Sequence, residues 1–216
     1  MKNSVTNRDM DYSFIFDIGR VLVDFDFDRA IKRLEKFSSH GRKGLGEKIF
    51  SSNIDGRNLF CDYEIGDISS LEFYKGIKER TNLDMDYEDF AEIWSDIFTE
   101  NVGISQFLES IKNHPKIIVS NICPLHWERL SEYSNINRFF KESEIIKSYE
   151  VRLRKPDLKI YEMAKKILPA DMEIIYLDDS VEYVNAASGL GIRGIKYDCR
   201  DDDIDEIAKE LIVLKR

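Results

Sequence analysis

Four places in this chain carry residue types suited to charge-driven chemistry. Asp17 closes the apolar run Phe14-Ile15-Phe16 and is followed two residues later by Gly19. Ser120-Asn121 closes Lys116-Ile117-Ile118-Val119, and Asp178-Asp179 closes Ile174-Ile175-Tyr176-Leu177. Lys155 stands in Arg152-Leu153-Arg154-Lys155-Pro156-Asp157, at the entrance to a helix. Open α/β sheets bind ligands just beyond the carboxyl ends of their strands, so a carboxylate there, with a glycine freeing the backbone, is placed for reaction. Two adjacent carboxylates repel unless something positive sits between them. A magnesium ion held by one or two carboxylates, water and a substrate phosphate fits that need, and Lys155 supplies further charge. Each group alone also reads as ordinary turn or cap chemistry; their recurrence at strand ends makes the functional case.

The elements that position these groups follow from hydrophobic period. Short apolar runs bounded by polar residues read as buried strands. They fall at 14–16, 116–119, 143–148, 174–177 and 193–197. Between them, helical spacing appears at 104–111, 124–133, 156–168 with Ile160, Met163, Ala164 and Ile167 inward, 180–188 and 204–214. Alternating β and α elements imply a doubly wound parallel sheet. In such a sheet all carboxyl ends lie on one edge, which brings the four groups together. The alternation Asp24-Phe25-Asp26-Phe27-Asp28 reads as a half-exposed β hairpin segment, with Asp28 capping a helix over 29–38. Residues from about 39 to 100 differ in texture, punctuated by Gly41, Gly44, Gly46, Gly56 and Gly66. Ser69-Ser70-Leu71-Glu72 fits a capping box, and Phe90, Ile93, Trp94 and Ile97 form a buried stripe after Asp86. This is a helical insertion, giving a core of residues 1–26 and 101–216 and a helical cap of residues 27–100.

The 216 residues carry a net charge of −9, with 43% hydrophobic and 34% charged side chains. That length allows one sizeable core with a smaller attached unit. The acidic balance argues against nucleic acid as a partner, and no basic amphipathic stripe indicates a membrane surface. The stretch Met1–Asp11 is polar and lacks the apolar centre of a signal peptide. Cys61, Cys123 and Cys199 are widely separated, with neither metal-like nor disulfide-framework spacing. A reduced cytoplasm is the expected setting.

Asp17-Ile18-Gly19-Arg20-Val21, Ser120-Asn121, Lys155-Pro156 and Asp178-Asp179 resemble, in order and spacing, the four motifs of the haloacid dehalogenase-like (HAD) hydrolases. The resemblance covers nearly the whole chain, and the insertion matches a cap placed after the first motif. The branch it most resembles is the sugar-phosphate phosphatases typified by α-D-glucose-1-phosphate phosphatase, with the phosphatase domain of soluble epoxide hydrolase. The resemblance implies a Rossmann-like HAD core and a phosphatase acting on a small phosphorylated substrate. It implies that Asp17 attacks phosphorus, forming an aspartyl-phosphate, and binds Mg²⁺ through its other oxygen. The backbone carbonyl of Gly19 and Asp179, with Asp178 directly or through water, complete the metal's protein ligands. Ser120, Lys155 and the backbone N–H groups of Ile18, Gly19 and Asn121 hold the phosphoryl oxygens.

One part is missing. Most phosphatases of this superfamily carry a second Asp where this chain has Gly19, and it protonates the leaving oxygen. A positioned acid contributes about 10²–10⁴-fold, so its loss slows the reaction most for poor leaving groups. The expectation is a sugar phosphate with a good leaving group, such as an anomeric phosphate, or an acyl or aryl phosphate. Asp24, Asp26 or Asp28 are candidate replacement acids. Two other readings stand beside this one: a non-catalytic HAD-like binding protein, motivated by the missing acid, and a metal-independent 2-haloacid dehalogenase, disfavoured by the paired carboxylates. His40, His114 and His126 have no metal-like spacing; His126 follows Ser120-Asn121 closely enough to border the cleft, but a surface or partly buried helix position is the expectation. In the cap, residues 58–66, with Asp62 and Tyr63, are the expected substrate contacts.

Overall fold

β1 (Tyr12–Phe16) is buried along its whole length, and its alternate residues face two different cores. Phe14 and Phe16 join one hydrophobic cluster and Ile15 the other. β4 (Lys116–Ser120) and β6 (Glu173–Asp178) repeat the division, with Ile118, Ile175 and Leu177 on the first side and Ile117, Val119, Ile174 and Tyr176 on the second. A strand sandwiched between two apolar layers needs no polar face, which is why these runs are continuous rather than alternating. The computed structural model describes residues 12–50, 58–131 and 133–213. The polar stretch Met1–Asp11, Gly56 and residue 214 of the expected last helix lie outside the described residues. Among the described residues, no helix is long and apolar enough to cross a membrane.

With β5 (Ile145–Lys147) and β7 (Arg193–Lys196) the strands form a five-stranded sheet in the order β5-β4-β1-β6-β7. Every pairing in it is parallel. β1 sits in the centre, flanked by β4 and β6, so Asp17, Ser120 and Asp178 emerge side by side. Helices cover both faces: α6 (Ser105–Ser110), α7 (Pro124–Leu130), α8 (Ser134–Phe139), α9 (Ser148–Val151), α10 (Leu158–Ile167), α11 (Val181–Ser188) and α12 (Ile204–Val213). The expected helix over 124–133 ends at Leu130. On α10, Ile167 is exposed and Tyr161 is buried in its place.

The insertion consists of α1 (Phe27–Leu34), α2 (Arg42–Phe50), α3 (Leu59–Glu64), α4 (Ser70–Thr81) and α5 (Tyr87–Ser95). The capping box at Ser69 and Glu72 is formed, Ser69 Oγ accepting from the Glu72 N–H and Glu72 Oε2 from the Ser69 N–H. Asp26, not Asp28, caps α1. The alternating segment is no local hairpin. β2 (Val23–Phe25) pairs antiparallel with the distant β3 (Phe98–Glu100), Phe25 opposite Phe98. This two-stranded ribbon carries the chain into the insertion and out of it. Three residues of period-2 pattern at 98–100 are too few to stand out from a helical segment.

Candidate active site

Asp17 continues directly from β1, its N–H bonded to the Leu177 carbonyl at 3.0 Å. That bond pins it between β1 and β6. Lys155 reaches the same point from a loop docked on the end of β4. Asn121 holds that loop twice, its Oδ1 accepting the Lys155 N–H at 2.8 Å and its Nδ2 donating to the Lys155 carbonyl at 3.0 Å. The side chain of Asn121 is therefore a support for Lys155.

The Lys155 ammonium is fully buried, 2.9 Å from Asp17 Oδ1 and 2.6 Å from Asp178 Oδ2. A lone buried lysine loses its proton readily. Here burial pulls the pKa down, but Asp17 and Asp178 outweigh it and hold the group above its ordinary value. The charge is thus fixed. Asp178 is equally buried, and both its oxygens accept from protein groups. Oδ2 accepts from Lys155 and from the Tyr176 hydroxyl, and Oδ1 accepts the Ser180 N–H at 2.8 Å. Asp179 is only half-buried and faces the cavity. Its carboxyl is pushed up to about 6, by burial first and then by Asp17 and Asp178. Asp17 is likewise raised by burial, against Lys155. Asp17, Asp178 and Asp179 offer oxygens within 4.8 Å of one another. Three acids face one lysine, an excess of negative charge that a cation would balance.

A cavity of about 230 Å³ lies over this edge of the sheet. Asp17, Ile18, Gly19, Ser120, Asn121, Lys155 and Asp179 all line it. Asp178 stands behind, holding Lys155. The floor thus brings together the groups singled out from the sequence, with Tyr183, which the sequence did not mark, beside Asn121.

The wall draws on the expected stretch 58–66, through Phe60 and Glu64, and also on Arg154. Glu64 of α3 and Arg154, next to Lys155, line the cavity and pair with each other, Oε2 to Nη2 at 2.8 Å. Arg154 Nη1 also contacts Cys61 Sγ at 3.3 Å. Burial pushes the Glu64 carboxyl up to about 7 although Arg154 opposes the shift. Of the expected cap contacts, Tyr63 is instead buried, its hydroxyl bonded to Ser70 and to the Leu125 N–H. Asp62 is not among the residues lining the cavity; Phe60 and Glu64 are. On a helix, residues three and four apart share a face, so Phe60 and Glu64 were a legible pair. Gly66 keeps this segment against the core. It has φ +75°, and a Cβ there would lie 2.2 Å from the Tyr149 carbonyl oxygen.

His126 is buried rather than at the surface, and it lines the cavity, the alternative its spacing from Asn121 allowed. It stacks on Trp94 with ring centres 5.7 Å apart, and Nε2 donates to the Trp94 carbonyl at 3.2 Å. Burial lowers its pKa to about 4, so it is neutral at physiological pH. The candidate replacement acids lie elsewhere. Asp24 pairs with Arg200 at 2.8 Å and Arg20 at 3.3 Å, Asp26 caps α1, and neither they nor Asp28 are among the cavity's lining residues. The place beside Gly19 is taken by the ring of Phe25. A Cβ added to Gly19 would lie 2.8 Å from Phe25 Cε1, and Arg20 packs over the same ring at 4.5 Å.

Glu64 gives a pH signature. Between its ordinary value of 4.5 and about 7 the folded protein keeps a proton that the unfolded chain has released. Stability therefore falls as pH rises through that window. In urea unfolding of metal-free protein at about pH 4 and about pH 8, the wild type is expected to lose on the order of 3 kcal/mol more than Glu64→Gln, the contributions of Asp179 and His126 being common to both proteins. An identical pH slope in both proteins refutes the assignment.

No family model matches the chain. It is similar to a D-ribitol-5-phosphate phosphatase from Bacteroides thetaiotaomicron, at 23% identity over 188 residues that cover 83% of this chain and 88% of that protein. A solved HAD family enzyme from the same organism, in complex with magnesium and inorganic phosphate, superimposes with a TM-score of 0.72 at 21% identity, covering 88% of this chain and 96% of that one. A HAD-like family hydrolase from Porphyromonas gingivalis gives 0.75 at 19% identity, over 94% and 98%. By these superpositions the chain has the fold of haloacid dehalogenase-like (HAD) family enzymes, the family its motifs resemble.

Proposed function

We propose that the chain is a Mg²⁺-dependent phosphatase that hydrolyses a small phosphorylated metabolite, with residues 27–100 as a cap over a core of residues 1–26 and 101–216. The observation that carries the reading is the convergence of Asp17, Ser120, Lys155 and Asp179 on one cavity floor. The donor set fits a hard divalent cation: carboxylate oxygens of Asp17 and Asp179, with the Gly19 carbonyl. Asp178 has both oxygens engaged by protein groups, so it serves the site through Lys155 or through water. Bound there, Mg²⁺ would neutralise charge on the transferring phosphoryl group.

In this reading one Asp17 carboxylate oxygen attacks phosphorus. The new P–O bond forms as the bond to the leaving oxygen breaks, and that oxygen departs with the electron pair. Water then cleaves the aspartyl-phosphate, splitting one hard step into two. Ser120, the backbone N–H groups of Ile18, Gly19 and Asn121, and Lys155 hold the phosphoryl oxygens, the positioning on which such transfers depend. Lys155 is already charged and already beside Asp17. With Phe25 packed beside Gly19, no carboxyl stands where the superfamily's acid would be. Leaving groups stable as an anion, as in anomeric, acyl or aryl phosphates, are therefore favoured. D-ribitol 5-phosphate, the substrate named for the similar phosphatase, is an ordinary alkyl ester of a sugar alcohol and is disfavoured here on that ground. The paired carboxylates also support this reading over a metal-independent dehalogenase.

The test is phosphate release from p-nitrophenyl phosphate. Turnover with Mg²⁺, lost in EDTA and restored by added Mg²⁺, is the expected result. Ligand binding without turnover under all conditions would move the chain to the binding-protein reading, and metal-independent halide release to the dehalogenase.

A further inference from the structure

Above the polar floor the cavity has an apolar roof. Phe27 and Phe60 present half-buried rings whose centres are 5.6 Å apart, edge to face. Phe25 adds a third ring, 5.4 Å from Phe27, and fills the place beside Gly19. Ile97, Phe98, Ile122 and Leu130 add to the apolar lining.

Most polar groups at this level are already engaged: Glu64 Oε2 accepts from Arg154, His126 Nε2 donates to the Trp94 carbonyl, and the Tyr183 hydroxyl accepts from Asn121 at 3.3 Å. Arg154 Nε is buried without a partner, one donor against the several hydroxyls of a sugar. A sugar leaving group would bury several hydroxyls here. Each hydroxyl removed from water without a partner costs about 1–3 kcal/mol. A flat apolar ring meets no such cost and gains from edge-to-face packing. Size agrees. An apolar cavity of about 150 Å³ holds one benzene ring, so about 230 Å³ accommodates a phosphoryl group and a single ring.

We propose that the site takes an aryl phosphate, a monoester whose leaving group is one flat apolar ring, in preference to a sugar phosphate. The proposal rests on the phosphatase reading and narrows its substrate class. It also joins two observations. The ring of Phe25 both excludes an acid from position 19 and supplies part of the wall, and phenolate is a leaving group that departs without that acid.

Recognition and turnover are measured separately. Calorimetry on the Mg²⁺-loaded protein compares phenylphosphonate, methylphosphonate and inorganic phosphate, none of which is a phosphate ester. Phenylphosphonate is expected to bind about tenfold or more tightly than methylphosphonate, with the larger negative heat-capacity change. Phe60→Ala is expected to narrow that ratio to near unity. In turnover, phenyl phosphate is expected to have the lower KM against glucose 1-phosphate. Equal affinity for the two phosphonates, or a lower KM for glucose 1-phosphate, overturns the proposal while leaving the phosphatase standing. Tighter binding of phenylphosphonate without turnover of any ester overturns the phosphatase and leaves a pocket for an aryl phosphate. The wild-type comparison decides without the variant.

Discussion

Asp17→Asn is expected to lower turnover of p-nitrophenyl phosphate in Mg²⁺ by about 10⁴-fold or more, with the protein still folded. Asn keeps the shape of Asp but offers no anionic oxygen to attack phosphorus. The remaining groups, Lys155 and Ser120 at the same cavity, still bind a phosphoryl group, so affinity for inorganic phosphate is expected to fall far less than rate. Loss by unfolding is separable from loss of chemistry. A cooperative unfolding transition retained by Asp17→Asn in EDTA, read by circular dichroism, is the expected control, since Asp178 still pairs with the buried Lys155 at 2.6 Å. Retained turnover in a folded Asp17→Asn protein would remove Asp17 as nucleophile and leave it a cation ligand.

The second large effect is a coupled one. Restoring the superfamily's acid by Gly19→Asp alone is expected to bring no gain, because the new side chain meets the Phe25 ring at 2.8 Å. Arg20 packs over that ring, and its neighbour Phe27 lies 5.4 Å away, so it does not swing aside freely. Gly19→Asp with Phe25→Ala opens the space. The added carboxyl would stand near Asp17, whose Oδ2 is 4.0 Å from the Cβ position. That like charge keeps it protonated and able to donate. With an alkyl phosphate such as glycerol 3-phosphate, the double variant is expected to exceed Phe25→Ala by about 10²-fold, the low end for a positioned acid because nothing orients the new group. A matching gain from Gly19→Asp alone would show that the ring yields; no gain in the double variant would show that the leaving oxygen lies elsewhere. The non-additivity of the two substitutions is the readout.

Much of this site was legible before the fold. Continuous apolar runs give buried strands because both faces are covered, and parallel strands put their carboxyl ends on one edge. Asp17, Ser120 and Asp178 therefore had to meet once β1, β4 and β6 were recognised. The capping box at Ser69 was equally readable, being a matter of three residues' separation. Local chemistry of that kind is written in order along the chain.

Other features depend on contacts between segments far apart in sequence. Asp178 and Asp179 look alike in the sequence; only the positions of Lys155, Tyr176 and Ser180 commit one to support and leave the other facing the cavity. Asp26 rather than Asp28 caps α1 because the β2–β3 ribbon, 73 residues across from Phe25 to Phe98, fixes where the strand ends. His126 became a buried, neutral ring when Trp94 of the insertion packed on it. Glu64 and Arg154 are separated by 90 residues, and neither has a local pattern that names the other. The sequence alone thus determined the fold class and the polar floor, since period and strand order follow from neighbouring residues. Tertiary structure alone decided the Glu64–Arg154 pairing in the wall, the placement of Phe25 beside Gly19 and the division between the two aspartates, because burial and pairing across long separations are properties of the packed chain.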